Sequence, residues 1–427
     1  MANAVATTPA MAATSVFPNL NRIIRGMLYV YIFSLPFKRL LFLERNGFII
    51  LVVLLLLWCA VNRWHFFLRT PIDLPFLAFV AWVGFTVPFA TFPAYSSKEF
   101  AKLLQQGLIF YAVIYFFHEP MHQRRLVWML VGTLSVVSVY GIWQFLTDVL
   151  PHARMGELAA IESFLPAEMW LTTYLVMLIP FGLALALQRS NRPGKIAAWA
   201  GIVLGTIALL LTFSRAGILA LFVEVSVATA LVKRRMILIG GLIFIACVGL
   251  GWGLFSNVSP RNIDGIGFAS ERKFDASNLV ARLNIWKYSL SKITDRPLVG
   301  YGYGKENIAM VFGHETSKLH IPFQHEMPAG THNVFIDLAV GVGPIGLVLF
   351  VWVLGALVGE AYRAFLNSTD SFQRATSLGL LLLVVGTVIR NSFDHMFVGS
   401  LAVLFWVLVA LALSAKRVPE LAPLRAS

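Results

Sequence analysis

Charge is scarce in this sequence of 427 residues: only 13% are Asp, Glu, Lys or Arg, where a soluble domain carries about 25%. A water-facing surface cannot be built at that density, so a soluble globular protein is excluded. Cysteine is nearly absent too. Cys59 and Cys247 are the two present, and both sit inside apolar blocks. That excludes a disulfide framework or a zinc site on paired cysteines and leaves them as small apolar fillers. The apolar blocks show no strand-like alternation, which argues against a barrel. The stretch before Asn21 is Ala/Thr-rich, without a basic start followed by an apolar core, so it does not read as a cleaved signal peptide.

What is abundant is apolar length. Hydrophobic residues make up 58% of the chain, with a mean hydropathy of +0.76. They fall in blocks of the ~20 residues that a helix needs to cross a hydrocarbon core. Inside lipid every backbone N–H and C=O must be satisfied within the protein, which selects helices. The expected fold is all-α: a polytopic integral membrane protein with about twelve transmembrane helices. The spans are expected near 23–37, 46–62, 73–92, 100–118, 126–149, 168–188, 196–213, 215–232, 236–255, 333–358, 375–392 and 397–415. The break at Ser214–Arg215 is either a turn between spans or a kink.

Orientation follows from Lys and Arg in short loops. With a cytoplasmic N-terminus, inside loops hold roughly twice as many of them as short outside loops. Both termini are therefore expected inside. The implied organisation is a disordered cytoplasmic tail over 1–21, nine helices over 22–255, a periplasmic loop with short helices over 256–332, three helices over 333–415, and a cytoplasmic tail over 416–427. The net charge of +13 serves topology in large part. Nucleic-acid binding would need a basic face with stacking aromatics, and no such partner is expected.

Ionisable residues at membrane depth suggest function. Arg215, in Thr212-Phe213-Ser214-Arg215-Ala216-Gly217, either serves a site at the outer end of a span or snorkels to head groups. In the long loop, Asn278 to Leu290 reads as a helix, with Leu279, Leu283, Trp286 and Leu290 at helical spacing and Arg282 beside that stripe. Pro297-Leu298-Val299-Gly300-Tyr301-Gly302-Tyr303-Gly304 follows. Its alternating glycines let backbone approach a ligand and can align N–H groups for an anion, although the spacing is not a nucleotide fingerprint. His332-Asn333 opens a span, either as a cap pair or with His332 accepting a proton near neutral pH. Arg390 and Asp394, one turn apart, form an ion pair holding the site, or Asp394 orients His332. His314, His320 and His325 with Glu315 and Glu326 lack the spacing of a catalytic zinc site. No metal and no cofactor is expected.

Together, Ser214-Arg215-Ala216-Gly217, Arg282-Leu283-x-x-Trp286, Pro297-Leu298-x-Gly300-x-Gly302-x-Gly304 and His332-Asn333 resemble the O-antigen ligase/polymerase superfamily of glycosyltransferases, over about 200–395. The ligases' His-Asn, nine residues, Gly-x-x-Gly pattern is met by His332, Asn333, Gly343 and Gly346. The resemblance implies a fold of the GT-C type embedded in the bacterial inner membrane with its site facing the periplasm. It implies transfer of O-antigen glycan from undecaprenyl pyrophosphate to a sugar hydroxyl of lipid A–core oligosaccharide, without metal and with inversion. Arg215 and Arg282 would stabilise the departing pyrophosphate and His332 would be the general base. Asn333, Tyr301, Gly302, Gly304, Arg390 and Asp394 would contact substrate or support the site. A polymerase or protein O-oligosaccharyltransferase of the superfamily is the nearest rival. A transporter of lipid-linked sugars is a rival from another class, although the internal repeat such proteins often carry is not evident.

Overall fold

In the computed structural model, residues 18–153, 160–187, 192–232, 276–316 and 330–415 are described. Among them the chain is helical with no strand. The principal helices are α1 (Pro18–Ser34), α2 (Leu41–Asn62), α3 (Asp73–Thr86), α4 (Pro93–Phe116), α5 (Pro120–Gln144), α6 (Glu168–Ala186) and α7 (Arg192–Leu211). They are followed by α8 (Arg215–Val232), α9 (Ala276–Ser291), α10 (Asn307–Thr316), α11 (Val334–Gly341), α12 (Gly343–Asn367), α13 (Ser371–Ser392) and α14 (Gly399–Ala415). Every expected span falls on one of these except 333–358, which falls on two, and 236–255, which lies outside the described residues. Among the described residues seven helices are long and apolar enough to cross a membrane, and α3 and α14 are shorter apolar helices.

Burial separates the centre of the bundle from its rim. In the apolar window of α6, 89% of residues are buried inside the protein, against 22% for α2. α6 packs on α7 and α13, while α13 also packs on α8 and α12. α2 instead turns Ile49, Ile50, Val53 and Leu56 outward, the surface a lipid-facing helix presents. Small residues let the central helices close up: the Cα of Gly182 on α6 lies against Ile202 of α7, and that of Gly379 on α13 lies against the ring of Phe181.

Two breaks position the chemistry. α7 ends at Leu211, Phe213 takes a left-handed φ of 52°, and Ser214 Oγ accepts the Gly217 N–H at 3.2 Å to start α8. Arg215 is thus the first residue of a new helix, not a point on a kinked one. The expected span 333–358 is corrected: it is two helices, α11 and α12, parted at Val342–Gly343. Gly343 has φ +77°, Pro344 follows in the first turn of α12, and the Val342 carbonyl accepts the Trp82 indole N–H at 2.8 Å. The break falls at Gly341-Val342-Gly343-Pro344 within a mainly apolar run, and partners from elsewhere in the chain stabilise it.

The carbonyl of Leu298 passes so close to Gly343 that a Cβ there would lie 1.9 Å from its oxygen. Gly343→Ala is expected to cost roughly 2 kcal/mol or more, from clash and left-handed strain together. Gly355→Ala, where a Cβ meets nothing within 4 Å, should not destabilise. Unfolding midpoints of the two purified variants compare these directly. A wild-type midpoint for Gly343→Ala would contradict the packing described.

The described part of the segment between α8 and α11 is tied to the bundle at several points. The Tyr301 N–H donates to Val340 O at 3.1 Å, the Gly302 N–H to Gly341 O at 2.7 Å, and the Thr91 N–H to Tyr301 O at 2.8 Å. A small apolar cluster of Tyr301, Ile308, Phe312, Ile336 and Val340 backs these bonds. The apolar stripe expected for α9 does not all face inward. Leu283 and Leu290 are exposed, whereas Ile285 and Ser289 are buried. The polar anchors of the helix, more than its leucines, set its rotation.

Candidate active site

The residues that carry the chemistry meet where the ends of α8, α11 and α13 and the middle of α9 come together. Asp394, in the turn after α13, is the hub. Its Oδ2 lies 3.3 Å from Arg390 Nη2, and its Oδ1 lies 3.4 Å from His332 Nδ1 and accepts the His395 N–H at 2.9 Å. Asp394 thus lies against both residues with which the sequence reading paired it. One carboxylate oxygen pairs the buried guanidinium, and the other faces the imidazole.

Burial opposes ionisation of Asp394. The His332 ring, Arg390 and Lys305 more than offset it, holding the carboxyl well below the usual carboxylate range. An Asp394 that stays ionised orients His332 by accepting from Nδ1, leaving Nε2 to take up a proton. His332 is half-buried and has φ +52°. A non-glycine residue in the left-handed region is uncommon, and such strain gathers at functional sites.

The strain at His332 is held from both sides. Trp286 Nε1 of α9 donates to Thr331 O at 2.7 Å. Asn333 caps α11, its Oδ1 accepting the N–H groups of Phe335 and Ile336 at 2.9 and 3.2 Å, while its Nδ2 donates to Ser392 O at 2.9 Å. The side chain of Asn333 therefore already holds three bonds within the protein.

Arg282 is brought to the same place from the loop. Its Nη1 donates to the Phe393 carbonyl, one residue before Asp394. Burial lowers the pKa of Arg282, Asp394 opposes that, and the nearby Arg215 lowers it further. Arginine still keeps its charge at neutral pH, so two guanidiniums stand close enough to repel each other. A site that holds them together in this way suits a polyanion.

The glycine turn is differently placed from the anion cradle anticipated. The N–H groups of Tyr301 and Gly302 are spent on α11 carbonyls. The ring of Tyr301 packs on Phe312 and under the Arg296 guanidinium. At Gly302 and Gly304, φ +132° and +131°, a Cβ would run into Ser96 and Tyr95 respectively. The absence of side chains lets this turn lie directly on α4 and α11.

Sequence reading missed Asp337 and His395. The Asp337 carboxylate bonds His395 Nδ1 through one oxygen and the Thr331 hydroxyl through the other, all three residues being buried. The available signals were an acid in the first turn of α11 and a histidine adjacent to Asp394. Of the loop histidines, His314 is exposed, and Glu315 is engaged by Tyr288 and Lys292. His320, His325 and Glu326, like Cys247, lie outside the described residues. Among the described residues no three His, Cys, Asp or Glu side chains group as a metal site.

Part of the chain is similar to known proteins. Residues 200–351 match the family model described as O-antigen ligase. A Rickettsia felis protein named "Putative polysaccharide ligase" is 26% identical over 255 residues, covering 55% of this chain and 60% of that protein. An O-antigen ligase of Salmonella typhimurium is 23% identical over 342 residues, 74% of this chain and 77% of its own. A general O-oligosaccharyltransferase of Acinetobacter baylyi is 29% identical over 157 residues, 36% of this chain and 25% of its own. The chain thus spans about three fifths of the Rickettsia felis protein's length. The stretch matched to the O-antigen ligase model, 200–351, runs from α7 into α12 and so takes in Arg215, Arg282 and His332 of this membrane protein.

Proposed function

We propose that the protein is an O-antigen ligase. It moves O-antigen polysaccharide from undecaprenyl pyrophosphate to a sugar hydroxyl of lipid A–core, on the periplasmic face of the bacterial inner membrane, with both termini cytoplasmic. One observation carries the reading: Arg215, Arg282 and the His332–Asp394 pair, far apart in sequence, gather at one place. In the reaction the bond from the anomeric carbon to the pyrophosphate oxygen breaks. A bond from that carbon to the acceptor oxygen forms on the opposite face, so configuration inverts. The acceptor's proton passes to His332 Nε2, and the two guanidiniums hold the charge of the departing pyrophosphate. Asn333 and Arg390 act by support rather than by contact with substrate, since their bonds run to the protein. The polyprenyl tail stays among membrane lipids, which explains why the transferase is embedded.

Deletion of the gene tests the activity in cells. The expected result is full-length glycan retained on the lipid carrier with none on lipid A–core. Single repeats attached to core would instead identify a polymerase of the superfamily. The similarity to Acinetobacter oligosaccharyltransferases makes a protein acceptor the second reading, and loss of glycan from a protein alone would favour it. Transfer by the purified protein without ATP would exclude a transporter.

Arg215→Lys and Arg282→Lys should each reduce turnover by roughly 10²-fold or more, because an ammonium cannot reproduce a forked contact to phosphate. Single-turnover transfer with purified variants measures this. Wild-type rates in both would favour head-group anchoring for these residues.

A further inference from the structure

A second cleft adjoins the site just described, and that mechanism leaves it unused; its lining is largely apolar, from side chains such as Phe79, Leu338, Phe350 and Phe397, with polar groups set among them. Its wall includes Glu99, Lys102 and Gln106 of α4, Lys305 beside the glycine turn, His395, and Trp406 of α14. Gln106 is 6% exposed and its Oε1 has no hydrogen-bond partner; Trp406 is 2% exposed and its Nε1–H has none either. Two side chains of one wall thus each hold an unpaired buried polar atom, an acceptor and a donor, each costing about 1–3 kcal/mol. Lys102 Nζ lies 2.5 Å from Glu99 Oε1 in the same wall. At the other end, His395 donates its N–H to the Asp394 oxygen that faces His332. The cleft thus ends one carboxylate away from the proposed base.

The chemistry of the wall selects its occupant. A hydroxyl both donates and accepts, so hydroxyls satisfy Gln106 Oε1 and Trp406 Nε1–H together. A polyprenyl tail satisfies neither. An ionised phosphate offers no proton to Gln106 and meets the Glu99 carboxylate. The free volume is about 40 Å³, room for roughly three water-sized groups. That suits the hydroxyl-bearing edge of one sugar better than a whole glycan. A carboxylate, an amide and ammonium groups set among aromatic rings suit such an edge.

We infer that this cleft is an acceptor subsite, holding the hydroxyl edge of a sugar of the acceptor so that its attacking oxygen reaches His332. The inference rests on the transferase reading above. The probe is delipidated core oligosaccharide prepared from the host's own lipopolysaccharide, with full-length protein in nanodiscs. Transfer is measured with acceptor varied at saturating lipid-linked donor, and then the reverse. Gln106→Leu and Lys305→Ala should each raise the acceptor KM roughly tenfold, the loss of about one hydrogen bond, with donor KM within about twofold. Gln106→Glu, which keeps an acceptor oxygen, should recover part of that loss.

Calorimetric binding of the same oligosaccharide separates the two levels. Binding weakened in Gln106→Leu, even where wild-type protein shows no transfer, would uphold the subsite and sink the reaction. Normal transfer with unchanged acceptor KM in both variants would mean the cleft holds only water, and would overturn the inference. Equal shifts in both KM values would overturn it too, since they would report a general loss of structure.

Discussion

His332→Ala is expected to abolish glycan transfer, by roughly 10²–10⁴-fold, the range supplied by a positioned general base. The imidazole faces Asp394 through Nδ1 at 3.4 Å, which leaves Nε2 to take the acceptor's proton. Alanine removes the base, and it also inherits the backbone at φ +52°, where it is more strained than the residue it replaces. His332→Asn separates the two effects. Asparagine tolerates the left-handed region but cannot serve as a base, so it should be inactive with a nearly unchanged unfolding midpoint. Transfer of fluorescent lipid-linked glycan by each variant, after membrane insertion is verified, is the measurement. Substantial turnover by His332→Asn would remove His332 from the mechanism.

The second large effect concerns stability. Arg390 and Asp394 have side chains only 3% and 6% exposed, so the pair has little water to fall back on. Asp394→Asn removes the charge that pairs Arg390 while nearly keeping the shape. Breaking one side of a buried pair typically costs about 3–5 kcal/mol, because the remaining charge is left uncompensated. A marked fall in the unfolding midpoint is expected, together with loss of activity as His332 loses its partner. The double variant Arg390→Met/Asp394→Leu should regain much of the stability and none of the activity. Equal midpoints for Asp394→Asn and wild type would show that the pair is not a buried charge couple. The pH dependence has a definite sign. Because the Asp394 carboxyl is held below its ordinary range, its stabilisation is present above about pH 4 and is lost only as pH falls through that depressed value.

Much of the scaffold was legible because lipid imposes a simple rule. Blocks of apolar residues of membrane length must become helices, and those among the described residues did. The site was legible where a polar residue interrupted such a block. Arg215 stood out in that way, His332 as a residue opening a span, and Arg282 beside a helical stripe. Asp337 and His395 did not, since an acid in a first helical turn and a histidine beside an aspartate are ordinary in sequence. The rotation of α9 was not legible either. Its exposed Leu283 and Leu290 follow the stripe that periodicity marks as inward, but Arg282 and Trp286 are anchored to Phe393 and Thr331 and turn the helix their way.

The amino-acid sequence by itself determined the class of molecule, where its helices lie, and which residue types stand at the span ends. Composition and apolar length are local quantities, and the membrane reads them locally. Only the tertiary structure decided that Asp394 serves Arg390 and His332 at once, that the glycine turn spends its N–H groups on α11, and that one expected span is broken at Gly343. Each of those is a contact between residues distant in sequence. Its free energy depends on burial and geometry, which exist only once the helices have packed.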